Sequence, residues 1–373
     1  MKIIYYTDQV YLHGGLERVL TNKINYLCEN TDNEIHLVTF EQRGKASCYP
    51  IHGNVTYHNL DINYSRKLSY FHFLNFSKAP LHFLKLKNKL KEIKPDVLVV
   101  CNSAFDFYFI PFISKGIKTI KEFHSSRYYY INQLPKSSLL NKFLNRINNF
   151  IHSKYSHIVV LNNDETKYYK SNNIVVIPNA IKRIENTNKI QRKNVIIAAG
   201  RIAPVKQFDH LIKAWSIIAY KFPEWEVHIY GDGDESLSTN LKQMIGELAV
   251  PTIYLKGGTS HLTEKMQEAS LYALTSSTEC FPMVLLESLA CGLPIISYNC
   301  PHGPKNIMID GEDGMLTPLN NIAAFALELE KLIKNQALRK QMEKNALNNC
   351  KKFEETKIMQ QWLYLFKRLR NDI

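Results

Sequence analysis

Glu279 and Glu287, separated by seven residues, are the side chains of this sequence best suited to a polyhydroxylated ligand. They lie in Ser276–Ile296, SSTECFPMVLLESLACGLPII. An apolar run, Leu271–Leu274, reads as a strand that ends in a polar loop. Pro282 suits a first helical turn, Gly292 ends that helix, and Pro294 opens the next strand. Glu279 then falls in the loop and Glu287 one to two turns into the helix. A carboxylate accepts two hydrogen bonds from a vicinal diol, as recognition of a sugar or ribose requires. The N–H groups around Phe281, Pro282, Met283 and Val284 form a helix start suited to phosphate. The spacing alone equally fits a helix-capping Glu279 and a solvated Glu287.

Other residues add charge or close backbone approach. Gly200-Arg201-Ile202-Ala203-Pro204-Val205-Lys206 follows a strand and offers a forked guanidinium and a point charge to a leaving diphosphate, though read alone it fits better a basic turn before an amphipathic helix. Gly14 and Gly15 follow the first strand and open a helix, in His13-Gly14-Gly15-Leu16-Glu17-Arg18. This is not G-x-G-x-x-G, which disfavours a nicotinamide site. Glu17 and Arg18 also fit a structural pair. His124 follows the strand Thr119–Phe123, where open α/β sheets place ligands. Asp232-Gly233-Asp234 has the D-x-D pattern of a metal chelate, but in Tyr-Gly-Asp-Gly-Asp it reads as a structural turn. The histidines lack metal-ligand spacing.

Thr278–Ile296 resembles the E-x7-E region of the family 4 retaining glycosyltransferases of GT-B fold, in the residues between the glutamates as well as in their spacing. Gly200–Lys206 is similar to that family's G-R-x-x-x-x-K element, and Gly14–Arg18 to its G-G-x-E-R loop. The resemblance implies that Glu279 holds hydroxyls of the transferred sugar, Glu287 the donor ribose, and Arg201 with Lys206 the diphosphate. It places Gly14 and Gly15 near the donor phosphates and the acceptor, and main chain at Gly257 near the base. It makes His124 the active-site histidine, in contact with the transferred sugar. Asn179 lies in Ile177-Pro178-Asn179-Ala180-Ile181, similar to a hinge segment. Cys300–Ile307 resembles a C-P-x-G-P-x-E-I segment of a polysaccharide-building subgroup but has Asn306 where glutamate is expected. The implied reaction retains anomeric configuration, uses no metal or other cofactor, and follows domain closure that brings Gly15 and His124 to Arg201, Lys206 and Glu279.

The elements that must position these residues are short β-branched runs alternating with helical periods, the pattern of parallel α/β sheets. With 373 residues, two domains are expected. The fold class is α/β, GT-B: two Rossmann-like parallel-sheet domains facing across a cleft. The expected boundaries are an acceptor-side domain 1–181, a polar linker 182–194, a nucleotide-sugar domain 195–355, and a C-terminal helix 356–373 returning to the first domain. Past Ser297 the pattern reads as helices only.

The seven cysteines are scattered and lack C-x-x-C, as expected of reduced cytosolic thiols. Residues 1–190 hold 26 Lys/Arg and 14 Asp/Glu, a balance of 26 − 14 = +12 out of +13 for the chain. A basic first half points to an anionic partner. Tyr64–Lys94 interleaves Lys85, Lys87, Lys89, Lys91 and Lys94 with Leu81, Phe83, Leu84, Leu86 and Leu90. It fits both an anionic membrane surface and a buried amphipathic helix with a lysine edge. No RNA-binding motif appears, so nucleic acid is not an expected partner. Arg127-Tyr128-Tyr129-Tyr130 suits an acceptor groove or ordinary packing.

These features together give a metal-independent transferase that moves a sugar, expected to come from a UDP-sugar, to a hydroxyl of a lipid-linked or surface glycan. Capsule, exopolysaccharide or lipopolysaccharide assembly at the inner face of the plasma membrane would be its setting. A UDP-sugar 2-epimerase, a pyridoxal-phosphate phosphorylase and a non-catalytic subunit binding a nucleotide-sugar or lipid share the fold and remain open.

Overall fold

Near-continuous apolar runs with no polar alternation belong to strands buried on both faces. A computed structural model of the chain, describing residues 1–102, 104–128, 131, 139–184 and 191–371, has two sheets that are parallel throughout. Tyr129, Tyr130 and residues 185–190 of the expected linker lie outside the described residues.

In the first sheet, β1 (Lys2–Thr7), β2 (Glu34–Thr39), β3 (Thr56–Asn59), β4 (Val97–Val100), β5 (Lys118–Glu122), β6 (His157–Val160) and β7 (Ile174–Val176) stand in the order β3-β2-β1-β4-β5-β6-β7. In the second, β8 (Val195–Ala199), β9 (Glu226–Tyr230), β10 (Ile253–Gly257), β11 (Leu271–Leu274), β12 (Ile295–Tyr298) and β13 (Gly314–Thr317) stand in the order β10-β9-β8-β11-β12-β13. Strand order reverses at β1/β4 and at β8/β11, and beyond the carboxyl ends of such strands open sheets form their ligand crevice. The strand β13 corrects the expectation of helices alone after Ser297. It is a short edge strand on β12, bounded by the turn formers Asp313 and Pro318.

The chain divides into two compact units, Met1–Pro178 with Ile358–Ile373, and Asn179–Lys357. In the first unit, the helix Gly15–Asn30 buries Val19, Leu20, Ile24 and Leu27. The helix Ala79–Ile93 buries His82, Leu86, Leu90 and Ile93, and it ends at Lys94 in the left-handed conformation. The terminal helix Glu355–Asn371 buries Ile358, Met359, Trp362, Leu365, Phe366 and Leu369, a stripe at helical spacing. The second core gathers Trp215, Phe325, Leu211 and Ile296.

Within the expected linker 182–194, Arg192 is tied to the second unit. Its guanidinium donates to the carbonyls of Ala269 at 2.7 Å, Cys291 at 2.8 Å and Gly292 at 3.0 Å, and to Glu343 Oε1 at 3.1 Å. A cation at carbonyls just past two helix C-termini, Glu268 and Ala290, meets the negative end of each dipole.

Two buried histidines give the first unit an acid-sensitive core. His82 bonds the hydroxyls of Tyr6 and Tyr64, the latter at 3.0 Å, and burial holds its imidazole down at about 4. Burial, reinforced by Arg127 and Lys121, holds His152 down at about 3. Both stay neutral in the fold at a pH where the unfolded chain, near 6.5, takes up protons. Stability is therefore intact above pH 6.5 and is lost as pH falls toward 4. The urea midpoint, followed by tryptophan fluorescence, should fall over this window, and His82→Gln should flatten the fall; an unchanged slope would count against His82.

Candidate functional site

The carboxyl end of the second sheet brings its expected residues together. Glu279 lies in the loop after β11, and its Oε1 accepts from Lys206 Nζ at 2.6 Å. Lys206 ends a short 3-10 turn, Pro204–Lys206, in the loop after β8. Thr275 Oγ1 donates to Lys206 O at 3.0 Å and Ser277 N to Val205 O at 2.8 Å, so the β11 loop fastens the lysine's main chain. Sequence reasoning passed over Thr275 and Ser277; the polar run Thr275–Thr278 after an apolar strand was the available sign of them. Arg201 is exposed in the same loop and has no hydrogen bond or ion pair among the described residues.

The helix Met283–Ala290 starts after Pro282, and no side chain caps it. Phe281, Pro282 and Met283 are buried and Val284 half-buried. Asn179 Nδ2 donates to Phe281 O at 3.3 Å, a structural hold on the loop between the glutamates. Glu287 is 1% exposed, which rules out the solvated-face reading. A carboxylate kept in a helix at such burial needs polar company to offset its desolvation.

Asp232-Gly233-Asp234 proves to be a structural tie. Asp232 Oδ1 accepts from Gly258 N at 2.9 Å, and Asp234 caps the helix Glu235–Glu247 through the N–H groups of Ser236 and Leu237. Ile202 N donates to Asp232 O at 2.9 Å and Gly231 N to Gly257 O at 2.9 Å, lacing together the loops after β8, β9 and β10. Gly231 has φ +150°, and a Cβ there would overlap the Gly200 carbonyl oxygen. Gly257 is itself left-handed at φ +71°. The Cys300–Ile307 segment lies against the site as well, since a Cβ on Gly303 would overlap that of Glu279.

In the first unit, Gly14 is the residue before the helix Gly15–Asn30. Glu17 folds back over it, occupying the space a Gly14 Cβ would need, and accepts from Gln9 Nε2. Gly15 is exposed with open space around it. His124 lies just past β5 with its side chain 8% exposed and its Nε2 3.3 Å from Glu122 Oε1. The loop continues through Ser126 and Arg127, whose hydroxyl and backbone N–H both donate to Glu165. Sequence reasoning missed Glu122, Glu165 and Lys23.

Two parallel sheets of this strand order, with these loops at their carboxyl ends, make the GT-B fold. Family models described as glycosyltransferase family 4 and glycosyl transferases group 1 match residues 13–183 and 180–349. An uncharacterized glycosyltransferase of Haemophilus influenzae is 28% identical, over 97% of this chain and 98% of that protein. A Campylobacter jejuni enzyme that adds α-1,4-N-acetyl-D-galactosamine to a diNAcBac-PP-undecaprenol-linked disaccharide is 27% identical, over 96% of each chain. The crystal structure of a TarM variant from S. aureus, in complex with fondaparinux, alpha-GlcNAc-glycerol and UDP, superposes with TM-score 0.77 at 16% identity, over 98% of this chain and 99% of that one. The chain belongs to glycosyltransferase family 4 and is a glycosyltransferase acting in glycan biosynthesis.

Gly231→Ala must push back the Gly200 carbonyl and strain its own backbone, so it should destabilise the second unit by about 3 kcal/mol. Gly246, inside the helix Glu235–Glu247 with open space around it, is the control. Gly246→Ala should stabilise by roughly 0.5–1 kcal/mol through helix propensity. Urea unfolding of the two variants checks both signs.

Proposed function

We propose that this enzyme transfers a sugar from a UDP-sugar, with retention and without a metal, to a hydroxyl of a lipid-linked or surface glycan in capsule, exopolysaccharide or lipopolysaccharide assembly. The observation that carries this reading is the Lys206–Glu279 pair at 2.6 Å, held where two strand ends meet. A diphosphate attracts Lys206 and Arg201, which frees the Glu279 carboxylate to accept from sugar hydroxyls. The developing negative charge on the leaving group is met by fixed cations, which need no reorganisation as the bond breaks. The leaving phosphate then takes the acceptor proton on the same face. The UDP bound by TarM and the polyprenol-linked acceptor in the Campylobacter enzyme's name support this choice of donor and acceptor.

The inner leaflet is the proposed place of work. Among the described residues no helix is long and apolar enough to cross a membrane. Phe71, Phe73, Leu74 and Phe76 stand on the surface of the first unit, Phe73 at 71% exposure, beside the exposed Lys67 and Leu81. Leu86 and Leu90 face the core instead, so the helix Ala79–Ile93 offers only its outer edge. Aromatic rings among basic residues suit an anionic headgroup layer.

Lys206→Ala and Glu279→Ala should each lower kcat by about a hundredfold in transfer assays with UDP-sugars, with wild-type rates unaffected by EDTA. Product anomeric configuration by NMR tests retention, and wild-type rates in both variants would overturn the site assignment. In cosedimentation with phosphatidylglycerol vesicles, the doubly substituted Phe73→Ser, Phe76→Ser protein should bind about tenfold more weakly. Binding independent of these rings would remove the membrane reading.

A further inference from the structure

The helix Leu139–His152 packs on the first unit with polar groups turned inward. Asn148 Oδ1 accepts from the Tyr108 hydroxyl at 3.0 Å, and Asn149 Oδ1 and His152 Nδ1 accept from the Arg127 guanidinium at 3.4 and 3.0 Å. Ile151 and His152 are buried. Phe143 and Phe150 instead stand in solvent, 59% and 53% exposed, and Leu144 is exposed beside them. A helix that serves only its own core buries its large apolar residues and turns its amides to water. Here the phenylalanines are outside while asparagines bond groups within, so the outer side has a use other than the core.

The charges on that side name the partner. Lys142, Arg146 and Lys154 are exposed, and none makes an ion pair among the described residues. Phe143, Arg146 and Phe150 recur at three- and four-residue spacing and so share one stripe. The Lys154 ammonium lies 4.9 Å from the centroid of the Phe150 ring. The sequence has no Asp or Glu between Glu122 and Asp164, so nothing in this stretch offsets the cations. A second copy of the chain, meeting this side about a two-fold axis, would set the cations against their own kind. An anionic lipid layer has phosphates for the cations and acyl chains for the rings. The helix also adjoins the loop of Phe71 and Phe76. Both rings pack edge-on against Phe105, at 5.8 and 5.6 Å between centroids, and Phe105 lies 6.0 Å from the ring of Tyr108.

We propose that the outer side of the helix Leu139–His152 is a lipid-binding surface of its own: Phe143 and Phe150 enter an anionic headgroup layer, and Lys142, Arg146 and Lys154 bind its phosphates. This extends the membrane reading made for Phe73 and Phe76 to a separate element, and the test keeps the two apart.

The full chain is cosedimented with phosphatidylglycerol vesicles and, for comparison, with phosphatidylcholine vesicles. Phe143→Ser combined with Phe150→Ser should weaken binding to phosphatidylglycerol about tenfold, and Lys142→Gln combined with Arg146→Gln about thirtyfold. Both proteins should keep the wild-type urea midpoint, because the replaced side chains are exposed. Wild-type binding in both, with binding lost in the Phe73→Ser, Phe76→Ser protein, keeps the membrane reading and overturns this inference. Loss in the two new proteins alone upholds the inference and overturns the part given to Phe73 and Phe76. Equal binding of the wild type to the two lipids, or a wild-type dimer that the Phe143→Ser, Phe150→Ser protein no longer forms, also overturns it.

Discussion

Gly231 passes so close to the Gly200 carbonyl that a side-chain carbon on Gly231 has no room at the crossing, and the loops of the second sheet are arranged around that contact. Once the backbones touch there, Ile202 pairs with the Asp232–Gly233 turn, which in turn reaches Gly257 and Gly258. The loop after β8 is thus set on both sides, by the β9 turn and by Thr275 and Ser277 after β11. Arg201 and Lys206 gain fixed backbones without contributing to the packing themselves. Such preorganisation is what electrostatic stabilisation of a leaving group needs, since donors that must first be ordered lose their advantage.

Buried charge is used differently in the two units. In the second, Arg192 has one carboxylate partner, Glu343, and spends its other donors on main-chain carbonyls past two helix ends. That arrangement clamps the helix carrying Glu287 from its far end. In the first, Lys121 is fully buried among the carbonyls of Val100, Asn102 and Glu122, and burial lowers its ammonium to about 8. It ties the ends of β4 and β5 together just before His124. Replacing such groups with apolar ones is often harmless to stability. Their positions next to the site loops suggest orientation as the property they supply.

Much of this was legible in the sequence because it depends on local pattern. Leu271–Leu274 matches its expected bounds and the strand expected at Thr119–Phe123 shifts by one residue to Lys118–Glu122, since apolar runs between turn formers mark buried strands directly. Glu279 and Lys206 could be singled out for a different reason: their residue types suit a diphosphate-sugar, and each follows a strand. What stayed hidden lies in pairings across the chain. Lys23 and Glu122 are 99 positions apart, and nothing local distinguishes either from an ordinary surface charge. Asp232 was read as part of a structural turn, but its partner, Gly258 N, is a backbone atom 26 positions away with no local sign in the sequence. The strand β13 was missed because four residues beside an Asp and a Pro carry too little apolar pattern to stand out.

The Lys206–Glu279 pair is half of what the proposed reaction needs and also an obstacle to it. Each side chain is largely buried, 19% and 13% exposed, so the pair is shielded from water and its attraction is stronger than that of a surface bridge. A neutral ligand would have to break it with little in return. A nucleoside diphosphate brings its own negative charge to Lys206, and its sugar brings hydroxyl donors to Glu279, so both halves are satisfied again after they part. A sugar without the diphosphate, or a nucleotide without the sugar, would satisfy only one of them. On the proposed reading the pair therefore favours the intact donor over its fragments, through the cost of leaving one buried charge alone.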